Sequence, residues 1–303
     1  MPSSQMEEGK CSASPFVHCG RADPIFFPDG MKGDSVKSAL LAALFYFCHF
    51  VMHQPSGGPS GFSERIMLFA RWMAQAKHLV IFTGAGISTE SGLPDYRGPE
   101  GVWTRREKGL PVPEFDWASA KPNASHRAIF ELQQMGKLGF LITQNVDNLH
   151  LESGIEPDLL AELHGNIMKL RCSRCGFKCD HFPDLVVCPN CEVGRLSSSV
   201  VNFGDPMPEK EVEVAVEHSR RSDLFVVAGS SLTVYPAADM PRIALAHGAK
   251  LVIINQGETP LDALCHLRFH QPIGEVLPPA VNELKRLLGP CSQSQGRSGE
   301  GSG

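Results

Sequence analysis

The stretch Ile81-Phe82-Thr83-Gly84-Ala85-Gly86-Ile87-Ser88 constrains this chain more than any other. The apolar run from His78 to Phe82 predicts a buried parallel strand, and it breaks at once into Gly-Ala-Gly. In a doubly wound α/β fold this is where a nucleotide diphosphate meets backbone N–H groups and a helix N-terminus. The usual fingerprint G-x-G-x-x-G is not met, because residue 89 is Thr and the next glycine is Gly92. The segment predicts a dinucleotide site without predicting hydride transfer.

The remainder alternates in the same sense. Strand signals fall at 78–83, 138–143, 223–228 and 250–254. Helical periodicity falls at 63–77, 124–135, 208–220 and 236–247. Alternation of this kind predicts a Rossmann-type, doubly wound parallel sheet with helices on both faces. Two regions interrupt it. Residues 88–122, rich in Gly, Pro and charge, predict a long mobile functional loop after the glycine turn. Residues 166–199 hold five of the ten cysteines and predict a small inserted zinc-binding domain.

The expected organisation is an extension with linker over 1–61, a catalytic domain over 62–285 and a disordered Ser/Gly-rich tail over 286–303. The catalytic domain divides into a Rossmann-type part, 62–165 and 200–285, and the zinc module between. The apolar run 38–52 is short of the roughly 20 residues of a spanning helix. It resembles a signal-peptide core behind an unusually long polar stretch. Its other readings are a dispensable extension or a start placed too early, with Met31 or Met52 as further starts. A net charge of −5 argues against nucleic acid as the main partner. Thiols held for a metal point to a reducing, cytoplasmic compartment.

The chemistry-bearing residues gather at predicted strand ends. Cys172-x2-Cys175 and Cys188-x2-Cys191 offer four thiolates, which fits tetrahedral Zn²⁺ with no open position, a structural site. Cys179 is a spare thiol. Gln144-Asn145-Val-Asp147 follows the second strand, with Asn145 and Asp147 projecting together towards a ribose or amide; helix capping by Asp147 is the alternative. His164, beside Gly165, is a candidate general base. Asp95 and Arg97, stiffened by Pro94, lie near the glycine turn, or else form a local surface ion pair. Gly229-Ser-Ser231 and Asn255-Gln-Gly257 end two further strands and suit ribose and phosphate contacts. Val200 to Asp205 has strand character and suits β-augmentation by a peptide.

Taken together and in this order, Gly84-Ala-Gly-Ile-Ser88, Gly92-Leu-Pro-Asp-Tyr-Arg97, Thr143-Gln-Asn-Val-Asp147, Leu163-His-Gly165, the paired cysteines and Val200-Val-Asn-Phe-Gly204 resemble the sirtuin family of NAD-dependent protein deacylases. The resemblance implies that NAD is consumed as co-substrate and that an acyl-lysine protein is the partner. Nicotinamide, free lysine and 2′-O-acyl-ADP-ribose are the implied products. It implies His164 as catalytic base, with Asn145 and Asp147 positioning the nicotinamide half. Gly84, Ala85, Gly86, Thr89, Asp95, Tyr96, Arg97, Trp103 and Gln144 would line the NAD site, Gly229, Ser231, Asn255 and Gly257 its adenosine end. Val201, Asn202 and Phe203 would contact the acyl-peptide.

Ser198 departs from the family, in which many members carry Pro there. Gly101-Val-Trp-Thr104 is similar to a branch known for weak deacetylation, long-chain deacylation and mono-ADP-ribosylation. The Tyr and Arg pair of succinyl-selective members is not found, although Arg105 and Arg106 keep that question open. A protein mono-ADP-ribosyltransferase is the alternative enzyme, and a non-catalytic NAD-binding scaffold the alternative class.

Overall fold

The computed structural model describes residues 61–289, except 118, 181, 183, 184 and 203. The extension before residue 61, with its apolar run, the tail from residue 290, and Phe203 lie outside the described residues.

Six parallel strands form the main sheet: β1 (Leu79–Thr83), β2 (Leu138–Thr143), β3 (Leu160–Glu162), β7 (Leu224–Ala228), β8 (Lys250–Ile254) and β9 (Leu267–Phe269). Their spatial order is β3-β2-β1-β7-β8-β9. With the insert set aside this is the doubly wound order, whose direction reverses between β1 and β7. That reversal opens the crevice into which Gly84 emerges.

Alternate residues of β1 serve opposite faces, as strand geometry requires. Leu79 and Ile81 pack into one core with α1 (Phe62–Gln75), α3 (Ala124–Gln134) and α7 (Ile273–Leu288), through Phe69, Ile129 and Leu277. Val80 and Phe82 pack into the other with α5 (Glu209–Arg221) and α6 (Met240–Ala246), through Ala215 and Ala244. Burial on both faces explains why these strands are continuous apolar runs.

The second sheet is the zinc module. It has three antiparallel strands, ordered β5 (Lys178–Asp180), β4 (Lys169–Cys172) and β6 (Leu196–Ser198). Its core is small: Leu170, Cys172, Cys188 and Leu196.

Three expectations need correction. The loop at 88–122 is partly ordered into a 3₁₀ turn (Ala85–Ser91) and helix α2 (Val102–Glu107). The turn is tethered at a distance, since the Glu90 carboxylate accepts the Gly274 N–H at 3.0 Å and so caps the N-terminus of α7. Helix α7 runs to Leu288 and carries the catalytic domain past residue 285. Residues 200–202 join no ladder; the strand lies just upstream, as β6. Among the described residues no helix is long and apolar enough to cross a membrane.

Candidate active site

The glycine turn packs backbone against backbone. Gly84 N–H donates to Ala228 O at 3.2 Å and Gly86 N–H to Gly229 O at 2.9 Å. A Cβ on Gly86 would stand 2.8 Å from Gly229 Cα, closer than real contacts permit. The two glycine N–H groups are committed to the end of β7, and the absent side chains let β1 and β7 approach. Thr89, also assigned to the cofactor, turns its hydroxyl back onto Gly86 O at 3.0 Å.

Asn145 and Asp147 do project together, and Ser88 joins them. Ser88 Oγ donates to Asp147 Oδ2 at 2.6 Å, and Asn145 Nδ2 donates to Ser88 Oγ at 3.2 Å. Asp147 Oδ1 also accepts Leu149 N–H at 3.0 Å at the start of α4 (Leu149–Glu152). Capping and site-building are therefore both true of this carboxylate. Ser88 belongs to the glycine segment, and its burial beside a strand-end carboxylate is visible only in three dimensions.

His164 follows β3. Its Nδ1 lies 2.9 Å from Gln144 O. A carbonyl can only accept, so Nδ1 carries the proton and Nε2 keeps its lone pair. Burial lowers the imidazole pKa below its ordinary value, partly offset by the bond to Gln144 O. The ring is therefore neutral near pH 7, as a general base must be. Gln144 also donates through Nε2 to Ser230 Oγ at 2.8 Å, which ties the end of β2 to that of β7.

The two serines after β7 have different partners. Ser230 bonds Gln144, whereas Ser231 Oγ pairs with Thr233 Oγ1 at 2.9 Å. Asn255 Nδ2 closes its own loop on Gly257 O at 2.9 Å. Arg97 is exposed, and Tyr96 stacks on Trp103 with ring centroids 6.4 Å apart. Asp95 accepts Gly98 N–H at 3.2 Å, and burial raises its carboxyl pKa against that bond. Arg105 is engaged by Glu100 and by Pro111 O, and the Arg106 guanidinium lies over the Trp103 ring. Both arginines thus have partners within their own loop.

Val201, one of the residues expected to contact the peptide, donates its N–H to the His164 main-chain O at 2.9 Å. Asn202 is turned away, its backbone and side-chain N–H groups both donating to Asp205 Oδ2 at 3.1 Å.

Behind the site lies a buried chain of polar groups with no counterpart among the expectations. Asn145 N–H donates to Thr143 Oγ1 at 3.0 Å, Thr83 Oγ1 donates to Thr143 Oγ1 at 2.8 Å, and His150 Nε2 lies 2.9 Å from Thr83 Oγ1. Thr83 spends its proton on Thr143, so His150 donates from Nε2. Burial pushes His150 down to about 3 and holds it neutral.

The four zinc-type cysteines converge. All are free thiols, and their sulfurs lie within 4.8 Å of one another. The Cys172–Cys191 and Cys175–Cys188 sulfur separations are both 3.7 Å. Zn–S bonds of about 2.3 Å at the corners of a tetrahedron give S···S edges of about 3.8 Å. The donor set therefore fits Zn²⁺ and leaves no open position. Cys179 stands outside the cluster, paired in register with Leu170.

Residues 113–236 match the model of the Sir2 family. The chain is 39% identical over 233 residues to an NAD-dependent protein deacetylase SRT1 of Oryza sativa subsp. indica. That match covers 72% of this chain and 48% of the rice protein, so the chain spans about half the length of this plant relative. It is 40% identical over 241 residues to NAD-dependent protein deacetylase 1 of Bradyrhizobium diazoefficiens, covering 69% of this chain and 92% of the bacterial protein. A solved structure described as Sir2 with a p53 peptide and NAD+ superposes with a TM-score of 0.58 at 34% identity, over 71% of this chain and 97% of that one. Identity at this level along nearly the whole bacterial relative is a family relationship, and the chain belongs to the Sir2 family.

Proposed function

We propose that this protein is an NAD-dependent protein-lysine deacylase, acting on acyl-lysine protein substrates in a reducing, cytoplasmic compartment. The observation that carries the reading is His164. It is a neutral, partly buried imidazole whose Nδ1 proton is held by Gln144 O, with the segment at Val201 bonded to its own carbonyl.

NAD supplies an electrophilic ribose carbon once its nicotinamide leaves. The rest is done by the chain. Ser88 holds Asp147 and Asn145 together, so a carboxylate and an amide meet the nicotinamide half in one fixed geometry. His164 Nε2, with its lone pair free, takes a proton from a ribose hydroxyl. Gly229, Asn255 and Gly257 lie at the ends of β7 and β8, where an adenosine half fits. Val201 holds the acylated peptide next to the base. Cys172, Cys175, Cys188 and Cys191 would hold a Zn²⁺ that ties the module together.

The test is product analysis with NAD and an acyl-lysine peptide. Nicotinamide and deacylated peptide in equal amounts from the wild type, with the deacylated peptide lost in His164→Ala, are the expected result. Deacylated peptide that still forms in His164→Ala refutes the reading, and ADP-ribosylated protein without deacylated peptide favours the transferase.

A further inference from the structure

One buried residue outside the catalytic set joins three segments of the site, two through its side chain and the third through its backbone. Asn166 has no exposed surface. Its amide Nδ2 donates to Glu162 Oε1 at 2.5 Å and to Asn148 Oδ1 at 2.8 Å, and its Oδ1 accepts Met168 N–H at 2.8 Å. Its backbone closes a reciprocal pair with Ser199: N–H to Ser199 Oγ at 2.9 Å, and Ser199 Oγ to Asn166 O at 2.8 Å. The segments joined are the one bearing His164, the turn bearing Asp147 and the stretch leading into Val201. Asn148 sits there with a left-handed φ of 67°, which its contact with Asn166 helps to hold.

Glu162 extends the connection into the zinc module. Its carboxylate is buried, with Lys169 Nζ at 4.0 Å and Lys178 Nζ at 3.9 Å. These lysines belong to β4 and β5, and Lys178 also pairs with Glu211 of α5 at 2.5 Å. Only an amide meets the geometry at 166, since one planar group must donate twice and accept once.

We propose that Asn166 and Glu162 are positioning residues, a hub that fixes His164 relative to Asp147 and Val201 and carries the state of the zinc module to the base. The inference rests on the deacylase reading. Asn166→Asp keeps the shape, removes both donors and sets a second carboxylate against Glu162. Misplacement of the base on this scale lowers turnover about tenfold to a hundredfold. Adding Glu162→Gln returns a donor to the pair with its direction reversed, from Gln Nε2 to the Asp carboxylate.

The experiment compares the zinc-loaded wild type, Asn166→Asp, Glu162→Gln and the double variant, reading kcat and KM for NAD and for an acetyl-lysine peptide, with zinc per chain. Asn166→Asp is expected to lower kcat at least tenfold at unchanged zinc content, and the double variant to recover most of that loss. Leu284→Val, in the core under α7, lowers thermal stability and is expected to leave kcat unchanged. A double variant no faster than Asn166→Asp, or an Asn166→Asp protein with wild-type kcat, overturns the hub. If Asn166→Asp does not fold, Glu162→Gln decides: a several-fold lower kcat supports the zinc-module link, and an unchanged kcat overturns it. A wild type that releases no nicotinamide overturns the deacylase reading and the hub with it, whereas an active wild type with unimpaired variants overturns the hub alone.

Discussion

Gly165→Ala is a single-methyl test of how the base is held against the peptide segment. Gly165 has φ +78°, a left-handed conformation, and a Cβ there would overlap Ser199 O and stand 3.0 Å from Val200 Cα. A non-glycine residue in that conformation costs about 1–2 kcal/mol. The obstructing atoms are backbone, so relief requires moving Ser199. Its reciprocal bonds with Asn166 are then lost, at about 1 kcal/mol each. The sum is about 3.5 kcal/mol. For a domain of this size, at about 3 °C per kcal/mol, the melting temperature falls by about 10 °C. Gly136→Ala is the control, because Gly136 has φ +64° but nothing within 4 Å of an added Cβ. Strain alone there gives about 1.5 kcal/mol and a fall of about 4–5 °C. Thermal unfolding of the two variants beside wild type, in equal zinc, makes the comparison. Equal losses in both refute the argument from Ser199.

Other consequences are open to direct measurement. His150, neutral in the fold with a pKa of about 3, gains a proton more easily when unfolded, near 6.5. Its contribution is complete above pH 6.5 and is lost as pH falls towards 3, so stability declines by about 1.4 kcal/mol per pH unit in that window. His150→Gln, which keeps a donor for Thr83, should flatten the slope by about one proton in unfolding titrations between pH 6.5 and 4.5; an unchanged slope refutes it. Ser88→Ala removes the donor to Asp147 and the acceptor for Asn145, and should lower kcat about tenfold with peptide KM held within twofold. Cys172→Ser should take bound zinc from one per chain to near none and expose the 166–199 module to limited proteolysis; retained zinc refutes the four-thiolate site.

What was legible in the amino-acid pattern follows burial and chemistry. β1, β2, β7 and β8 are covered on both faces, and each announces itself as an apolar run. β3 and β9 have three residues apiece, and β9 carries Arg268 between Leu267 and Phe269, so neither has a periodic signal. Helix α7 contains Pro278 and Pro279, residues that argue against a helix interior, yet its Val276, Leu277, Val281 and Leu284 bury against the sheet and outweigh that cost. The cysteine spacing pointed to the four-thiol cluster because tetrahedral geometry constrains sequence directly. The partners of Asn145 and Asp147 were harder. Ser88 lies 57 residues from Asn145 and 59 from Asp147. Ser230 rather than Ser231 meets Gln144 because Gly229, at φ +72°, turns the chain in a way no composition records.

The cap that Glu90 places on α7 also bears on how the protein is made. It joins residues 184 positions apart, one at the glycine turn and one at the start of the last described helix. At about 5–20 residues per second, a ribosome needs about 10–40 s to deliver Gly274 after Glu90 has been added. For that interval the crevice edge is present without its far anchor, and the first sheet face still lacks the helix that completes its cover. The glycine turn thus begins early in synthesis and reaches its final form near the end.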